Sequence, residues 1–281
     1  METTTDSAEA PVAALIHPKP AYPTIAESWG VLGWFILIMT VTTLPLLTFF
    51  DKGALGKSIE LAAAGTALGE VATIAVLVYA YRRRLPRLHL RGQVPAWLYV
   101  AAPILVVAQV VTRSLINFLH LPNWMEETFR RLEAQPWLAF LMVGISAPVL
   151  EEVLFRGVIL TGLLRNYRPW VAIGQSALLF GLFHFNPIQI VSAGIMGLLL
   201  GWMYYRTRSL LLCIIIHALN NLLALWANTH PTTKNMRGAA DLFASPWHYA
   251  VAVLLSALLL AWLLWRVHRA TEGRVVLGPA S

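Results

Sequence analysis

Two adjacent acids and an arginine interrupt a long apolar run in the middle of the chain. The stretch 147–157 reads APVLEEVLFRG; it follows PWLAFLMVGIS and precedes VILTGLL. A carboxylate at bilayer depth is costly, so such a residue commonly marks a functional site. The pattern therefore predicts a membrane helix that carries chemistry as well as structure.

The composition excludes an ordinary soluble domain. Of 281 residues, 58% are hydrophobic and 12% are charged, whereas soluble domains carry about 25% charged residues. A membrane helix needs about 20 mostly apolar residues. Eight apolar runs reach or approach this length: 29–50, 61–81, 96–118, 137–164, 170–185, 188–205, 209–227 and 247–266. The prediction is an all-α bundle of about eight transmembrane helices with a central polar cavity open to the cytoplasmic side.

The same runs divide the chain into four regions. Residues 1–28 are polar and contain prolines, which predicts a disordered cytoplasmic tail. Residues 29–136 hold the first membrane helices and an amphipathic segment at 121–136, which is interpreted either as an interfacial helix or as a short solvated one. Residues 137–228 hold the polar motifs, and 229–281 an external loop, the last span and a cytoplasmic tail.

The net charge of +7 does not indicate nucleic-acid binding, because the basic residues cluster between apolar runs. Loops that face the cytoplasm carry an excess of such residues, so the clusters place both termini in the cytoplasm of a multi-pass membrane protein. Lys52 and Lys57 fall on the opposite side. The lone Cys213 permits neither an intramolecular disulfide nor a multi-cysteine zinc site, and we expect a small buried hydrophobic residue.

The acidic motif is Glu151-Glu152-x-x-x-Arg156. Glu152 and Arg156 are four apart on one helical face, with the acid N-terminal, which favours an ion pair. Glu151 lies about 100° around the helix from Glu152. The spacing indicates one structural and one functional carboxylate.

Two further motifs carry imidazoles and an amide into apolar spans: Phe180-x-x-x-His184 and His217-x-x-x-Asn221. Counted from the arginines at the helix ends, Glu151, His184, His217 and Asn221 lie about 14–24 Å deep. A shared water-filled cavity would satisfy all of them. Taken singly, each of these polar residues also has a structural interpretation: a packing histidine, an ion pair or an interhelical amide. Gln175 is interpreted only as an interhelical amide.

These three motifs resemble, in order and without substitution, those of the CPBP family of intramembrane proteases. This family, also called Abi, includes the CAAX prenyl endopeptidases and bacteriocin-processing enzymes. The resemblance covers about residues 137–228 and implies peptide-bond hydrolysis without a metal. It implies that Glu151 and His184 activate a water and that His217 and Asn221 stabilise the oxyanion. Glu152, Arg156 and Phe180 would support them.

Other interpretations stay open at this point. Two histidines and a glutamate are a possible zinc ligand set, although the chain has no HExxH motif. A proton-coupled transporter or a non-catalytic scaffold or immunity protein would use the same polar residues. For a protease, the expected partners are the lipid bilayer and a peptide or protein substrate that enters from the membrane or the cytoplasm. The expected setting is a prokaryotic plasma membrane.

Overall fold

The computed structural model describes residues 20–45, 58–85, 88, 90–234, 236 and 238–273, and its longer elements are all helices. In chain order we label them α1 (Ile25–Pro45), α2 (Ile59–Tyr81), α3 (Ala96–Arg113), α4 (Glu126–Glu133), α5 (Pro136–Asn166), α6 (Pro169–Leu182), α7 (Pro187–Thr207), α8 (Leu210–Thr229) and α9 (Pro246–Ala270).

The membrane bundle predicted from the sequence is confirmed for the described residues. Seven helices are long and apolar enough to cross a bilayer, namely all but α4 and α6, with α3 extended by a 3₁₀ turn to Leu119. Helix α6 has 14 residues and is about 21 Å long, which is short of a hydrocarbon core of about 30 Å. The predicted span 170–185 is therefore a shorter helix that ends inside the bundle and turns directly into α7.

Helices α6 and α7 form a tight hairpin. A Cβ at Gly197 would lie 3.0 Å from Cα of Ala177, and a Cβ at Gly181 would collide with the carbonyl oxygen of Ile190. Small residues let membrane helices approach this closely. The hairpin thus holds the end of α6, and the turn that follows it, in a fixed position.

Helix α5 is not uniformly α-helical. Its segments Phe140–Ser146 and Val153–Leu160 are π-helical, and between them lies the six-residue α-helical segment Ala147–Glu152. The hydroxyl of Thr161 donates to the carbonyl oxygen of Arg156 at 2.7 Å. Short π-helical segments occur frequently at functional sites, and here they enclose the Glu151-Glu152 pair.

One end of the bundle gathers the basic helix ends. Arg206, at the end of α7, donates to the hydroxyl of Thr271 at 2.9 Å and to the carbonyl oxygen of His268, both at the end of α9. The backbone N–H of Leu211 donates to the carbonyl oxygen of Leu90 at 3.0 Å. The helix ends that the sequence placed on one side of the membrane therefore meet in space.

The first described residues also lie at this end. Tyr22 is 1% exposed and stacks on Tyr81, with ring centroids 3.7 Å apart, and Asn166 donates to the carbonyl oxygen of Ala21 at 2.7 Å. Part of the segment predicted as a disordered tail is thus packed, since α1 already begins at Ile25. Residues 1–19, like Lys52 and Lys57, lie outside the described residues.

The segment 121–136 contains the predicted amphipathic helix, α4. Leu132 is buried, while Arg130 and Glu127 form an exposed ion pair at 2.7 Å. Gln175 donates to the hydroxyl of Ser28 at 3.1 Å and so links α6 to α1, as the sequence predicted.

Candidate active site

The acidic motif forms a buried ion pair with a second acid beside it. Glu152 and Arg156 are both fully buried, and Nη1 of Arg156 donates to Oε1 of Glu152 at 2.8 Å. Nη2 of Arg156 donates to the carbonyl oxygen of Gly197 on α7 at 3.2 Å. The pairing predicted from the spacing is therefore present, and it also ties α5 to α7.

His217 connects the two acids. Its Nδ1 lies 2.8 Å from Oε1 of Glu152, and its Nε2 lies 3.9 Å from Oε2 of Glu151. Both Glu151 and His217 are buried, and Oε2 of Glu151 makes no hydrogen bond to any described residue. One carboxylate oxygen thus faces an imidazole with its hydrogen-bonding capacity unused.

The ring of Phe180 is the common contact of the charged and imidazole groups. The guanidinium of Arg156 lies 4.6 Å above its centroid. The rings of His184 and His217 lie 5.3 Å and 5.7 Å from it, both edge-on. One side chain of α6 therefore brings the motifs of α5, α6 and α8 together.

The turn after α6 positions His184. Its Nδ1 lies 2.9 Å from the carbonyl oxygen of Phe180. Asn186, which is fully buried, donates to Oδ1 of Asn123 at 2.8 Å and accepts from the backbone N–H of Trp124 at 3.0 Å. Phe185 between them has a left-handed backbone with φ of 48°. The segment before α4 thus holds this turn in place.

Asn221 lies one turn beyond His217 on α8 and contacts the first π-helical segment of α5. Its Nδ2 donates to the carbonyl oxygen of Val143 at 3.0 Å, and its Oδ1 accepts from Nδ2 of Asn220 at 3.1 Å. These two bonds fix the plane of the amide. The second hydrogen on Nδ2 is left for another acceptor.

Asn220 joins this amide to α3. Its Oδ1 accepts from Nε2 of Gln109 at 2.8 Å and from Nη2 of Arg113 at 3.1 Å. These three residues have no role in the sequence motifs, although Gln109 and Arg113 are four apart in an apolar run. The criterion that singled out the other motifs, a polar group within a span, would have found them.

Glu70, near the middle of α2, was overlooked in the same way. It is 6% exposed and makes no side-chain hydrogen bond to a described residue, and it lies within electrostatic range of Glu151. The candidate site therefore includes a carboxyl group from α2, a helix that carries none of the three motifs.

Among the described residues, no group of three or more His, Cys, Asp or Glu side chains is arranged to hold a metal ion. Cys213 is completely buried and free, as expected for a small core residue.

Residues 133–223 match the model of the Rce1-like family, described as type II CAAX prenyl endopeptidase Rce1-like. This part of the chain is similar to the type II CAAX prenyl endopeptidases. It is about a third of the chain and includes all seven residues of the three motifs, whereas Glu70, Gln109 and Arg113 lie outside it. Comparison with curated proteins and with solved structures gives no match. The seven long apolar helices and this similarity together support an integral, multi-pass membrane protein.

Proposed function

We propose that this protein is an intramembrane endopeptidase that hydrolyses a peptide bond near the C-terminus of a lipid-anchored protein or peptide. The observation that carries the proposal is the buried Glu151 carboxylate, whose Oε2 lies 3.9 Å from Nε2 of His217 and accepts no hydrogen bond from the part of the chain that the structure describes. A carboxylate in this state inside an apolar span is costly, and such residues commonly act on a substrate or water. The family match at residues 133–223 supports hydrolysis.

Glu151 and His184 are proposed to activate the attacking water. The carbonyl oxygen of Phe180 can only accept, so Nδ1 of His184 donates to it, and a neutral imidazole then carries its lone pair on Nε2. Both groups are general bases. As the water oxygen bonds to the substrate carbonyl carbon, its proton passes to Glu151 or His184. The same proton then moves to the leaving amine as the C–N bond breaks.

His217 and Asn221 are proposed to stabilise the oxyanion that forms in this step. A carboxylate oxygen only accepts hydrogen bonds, so Nδ1 of His217 donates to Oε1 of Glu152. Nε2 can donate to the oxyanion only in the form of the ring that carries a proton on both nitrogens. Nδ2 of Asn221 supplies the second donor. Donors fixed before the reaction are the most effective.

Glu152, Arg156 and Phe180 are proposed to position these groups without contacting the substrate. Glu152 orients His217, while Arg156 compensates the charge of Glu152 and packs over Phe180. The carboxylate–imidazole contact works as an orienting partner does in other catalytic sites.

The family name indicates a prenylated C-terminal peptide as substrate, in which a lipidated cysteine precedes three residues. We propose that the basic end of the bundle faces the cytoplasm and that the substrate reaches the site from the membrane or from that side. In this proposal the water activated by Glu151 needs no zinc, and nucleic acid is not a partner.

The test is hydrolysis of a farnesylated peptide by the purified protein in liposomes, followed by mass spectrometry. We expect cleavage by the wild type and loss of at least about a thousandfold in Glu151→Gln and His184→Ala. Glu127→Gln, which changes an exposed acid on α4, is the matched control. Cleavage retained in Glu151→Gln contradicts the mechanism. Ion flux that depends on Glu151, without cleavage, would establish a transporter. Full cellular function of the Glu151→Gln variant would establish a non-catalytic scaffold.

A further inference from the structure

Arg113 is a cation within a membrane span, near the end of the apolar helix α3. No carboxylate among the described residues pairs with it. Within the same residues its guanidinium donates one hydrogen bond, from Nη2 to Asn220, and its buried Nε donates none. An ionisable residue in a membrane span is costly and commonly marks a functional site. The described partner of this guanidinium is a neutral amide, which does not compensate its charge.

The guanidinium lies in the wall of an apolar cavity. The cavity has a volume of about 490 Å³ and lies between α3, α7 and α9, with Trp170 of α6 at its edge. Gln109, Thr112 and Arg113 are its polar residues, while the others are apolar, such as Ile116 and Leu199. Cavities of this size with an apolar lining and a few polar groups commonly bind ligands. Charge complementarity requires that the occupant of this one carry an anionic group.

Hydrogen bonds connect Arg113, in the wall of this cavity, with the candidate oxyanion site. Two hydrogen bonds, each 3.1 Å long, lead from Arg113 to Asn220 and from Asn220 to Asn221. Three residues of extended peptide span about 10 Å. A peptide whose cleaved bond lies at Asn221 can therefore place a carboxylate three residues further on within reach of Arg113, with its apolar side chains in the cavity.

We infer that Arg113 binds the free C-terminal carboxylate of the substrate, so that this cavity selects a chain terminus over an internal peptide segment. The inference rests on the proposed function and adds a specificity site to it. Arginine and carboxylate pair through two parallel hydrogen bonds. Gln109, which shares Asn220 with Arg113, keeps that amide in place while the guanidinium engages the substrate.

The test measures binding by the Glu151→Gln variant, so that cleavage does not intervene. A farnesylated peptide ending in cysteine and three further residues is prepared both as the free acid and as the C-terminal amide. We expect Kd for the acid to be at least about tenfold lower than for the amide, as for hydrogen bonds to charged groups. When Arg113→Gln is added to Glu151→Gln, Kd for the acid should rise and Kd for the amide should stay almost unchanged. The ratio of the two Kd values should then be about one.

Two further variants separate recognition from folding. Gln109→Leu removes the other bond to Asn220 and keeps the cation, so it should change Kd for the acid and the amide by the same factor and leave their ratio intact. Arg113→Lys keeps the charge without the planar fork and should restore part of the preference. The inference is overturned if the parent variant binds acid and amide equally or not at all, or if Arg113→Gln leaves the ratio intact. It is also overturned if an anionic phospholipid displaces both peptides equally.

The wild type distinguishes this inference from the proposed function. If wild-type protein cleaves the acid and the amide peptide at equal rates and Glu151→Gln cleaves neither, the protease assignment stands and the role of Arg113 is wrong. If the wild type cleaves neither peptide, the proposed function fails, while the binding ratio still decides whether Arg113 recognises a carboxylate.

Discussion

Nδ1 of His217 donates to Oε1 of Glu152 over 2.8 Å, the same oxygen that accepts from Arg156. A cation, a carboxylate and an imidazole thus form one buried line across α5 and α8. The carboxylate fixes both the orientation of the ring and the tautomer in which Nδ1 carries the proton. The other ring nitrogen faces Glu151. The adjacent acids therefore have different tasks, because Oε1 of Glu152 is engaged by both Arg156 and His217, whereas Glu151 makes no ion pair with an arginine or lysine among the described residues.

Breaking this buried pair should destabilise the protein far more than breaking a surface pair. We expect Arg156→Met to lower the free energy of unfolding by about 3–5 kcal/mol, since Glu152 is left buried without its partner. The double variant Arg156→Met with Glu152→Gln should lose less free energy of unfolding than the sum of the losses in the two single variants. Thermal unfolding in detergent measures the effect.

The exposed Arg130–Glu127 pair on α4, with side chains 74% and 63% exposed, is the control for this comparison. Neutralising either partner should cost less than about 1 kcal/mol. If both pairs lose the same free energy of unfolding, the buried Arg156–Glu152 pair does not stabilise the bundle more than the surface pair does.

Asn221→Ala should act on turnover and not on substrate binding. With one oxyanion donor removed, we expect kcat to fall about 10²–10³-fold and KM to change little. Asn228→Ala, which removes an exposed amide further along the same helix, should leave both constants unchanged. Steady-state hydrolysis of a fluorogenic peptide measures them. A rise in KM at constant kcat would assign Asn221 to substrate binding instead.

Gly181→Ala should displace His184. The added Cβ would collide with the backbone of Ile190, so α6 and α7 must separate and the turn after α6 must move. We expect a loss of activity of at least about tenfold, because small misplacements of catalytic groups are costly, and a lower unfolding temperature.

Gly174→Ala, on the same helix, is the matched control, since a Cβ there meets nothing within 4 Å. Its activity should stay within about twofold of the wild type, as for substitutions that disturb no contact. Similar losses in both variants would mean that general helix effects, and not the hairpin contact, determine the activity.

Chelation should leave hydrolysis intact. Our mechanism takes the water proton with Glu151 and His184, so prolonged treatment with EDTA or 1,10-phenanthroline is expected to change the rate by less than about twofold, within ordinary assay variation. Activity that disappears on chelation and returns with added Zn²⁺ would establish a metal mechanism. Two histidines and a glutamate would then be the zinc ligands.

The sequence predicts the membrane bundle and the Glu152–Arg156 pair because both depend on short-range patterns. Twenty apolar residues predict a span wherever it packs, and a spacing of four predicts contact on one helix. The contact of His217 with Glu152 joins residues 65 positions apart. It depends on how α8 lies against α5, which residue types alone do not specify.

The overlooked polar residues show a second limit. Glu70 and Arg113 stand in apolar runs as plainly as His184 does, but no second motif residue accompanies them in the family pattern. Their importance emerges only when α2 and α3 pack beside α5 and α8 and bring them towards Glu151 and Asn220. The helices without family motifs thus contribute to the site through their placement.

The wide turns of α5 determine where the helix tolerates a change in length. A π-helical turn accommodates one more residue than an α-helical turn, so removal of a single residue within Phe140–Ser146 would let that segment relax to ordinary α-helix while its two sides keep their orientation. The α-helical segment Ala147–Glu152 has no extra residue to lose, so deletion of Val149 would rotate one side by about 100° relative to the other. Either Glu151 would turn away from His217, or Val143 and the N-terminal half of the helix would lose Asn221. A one-residue deletion within α5 is therefore expected to inactivate the protein at Val149 and to be tolerated within Phe140–Ser146.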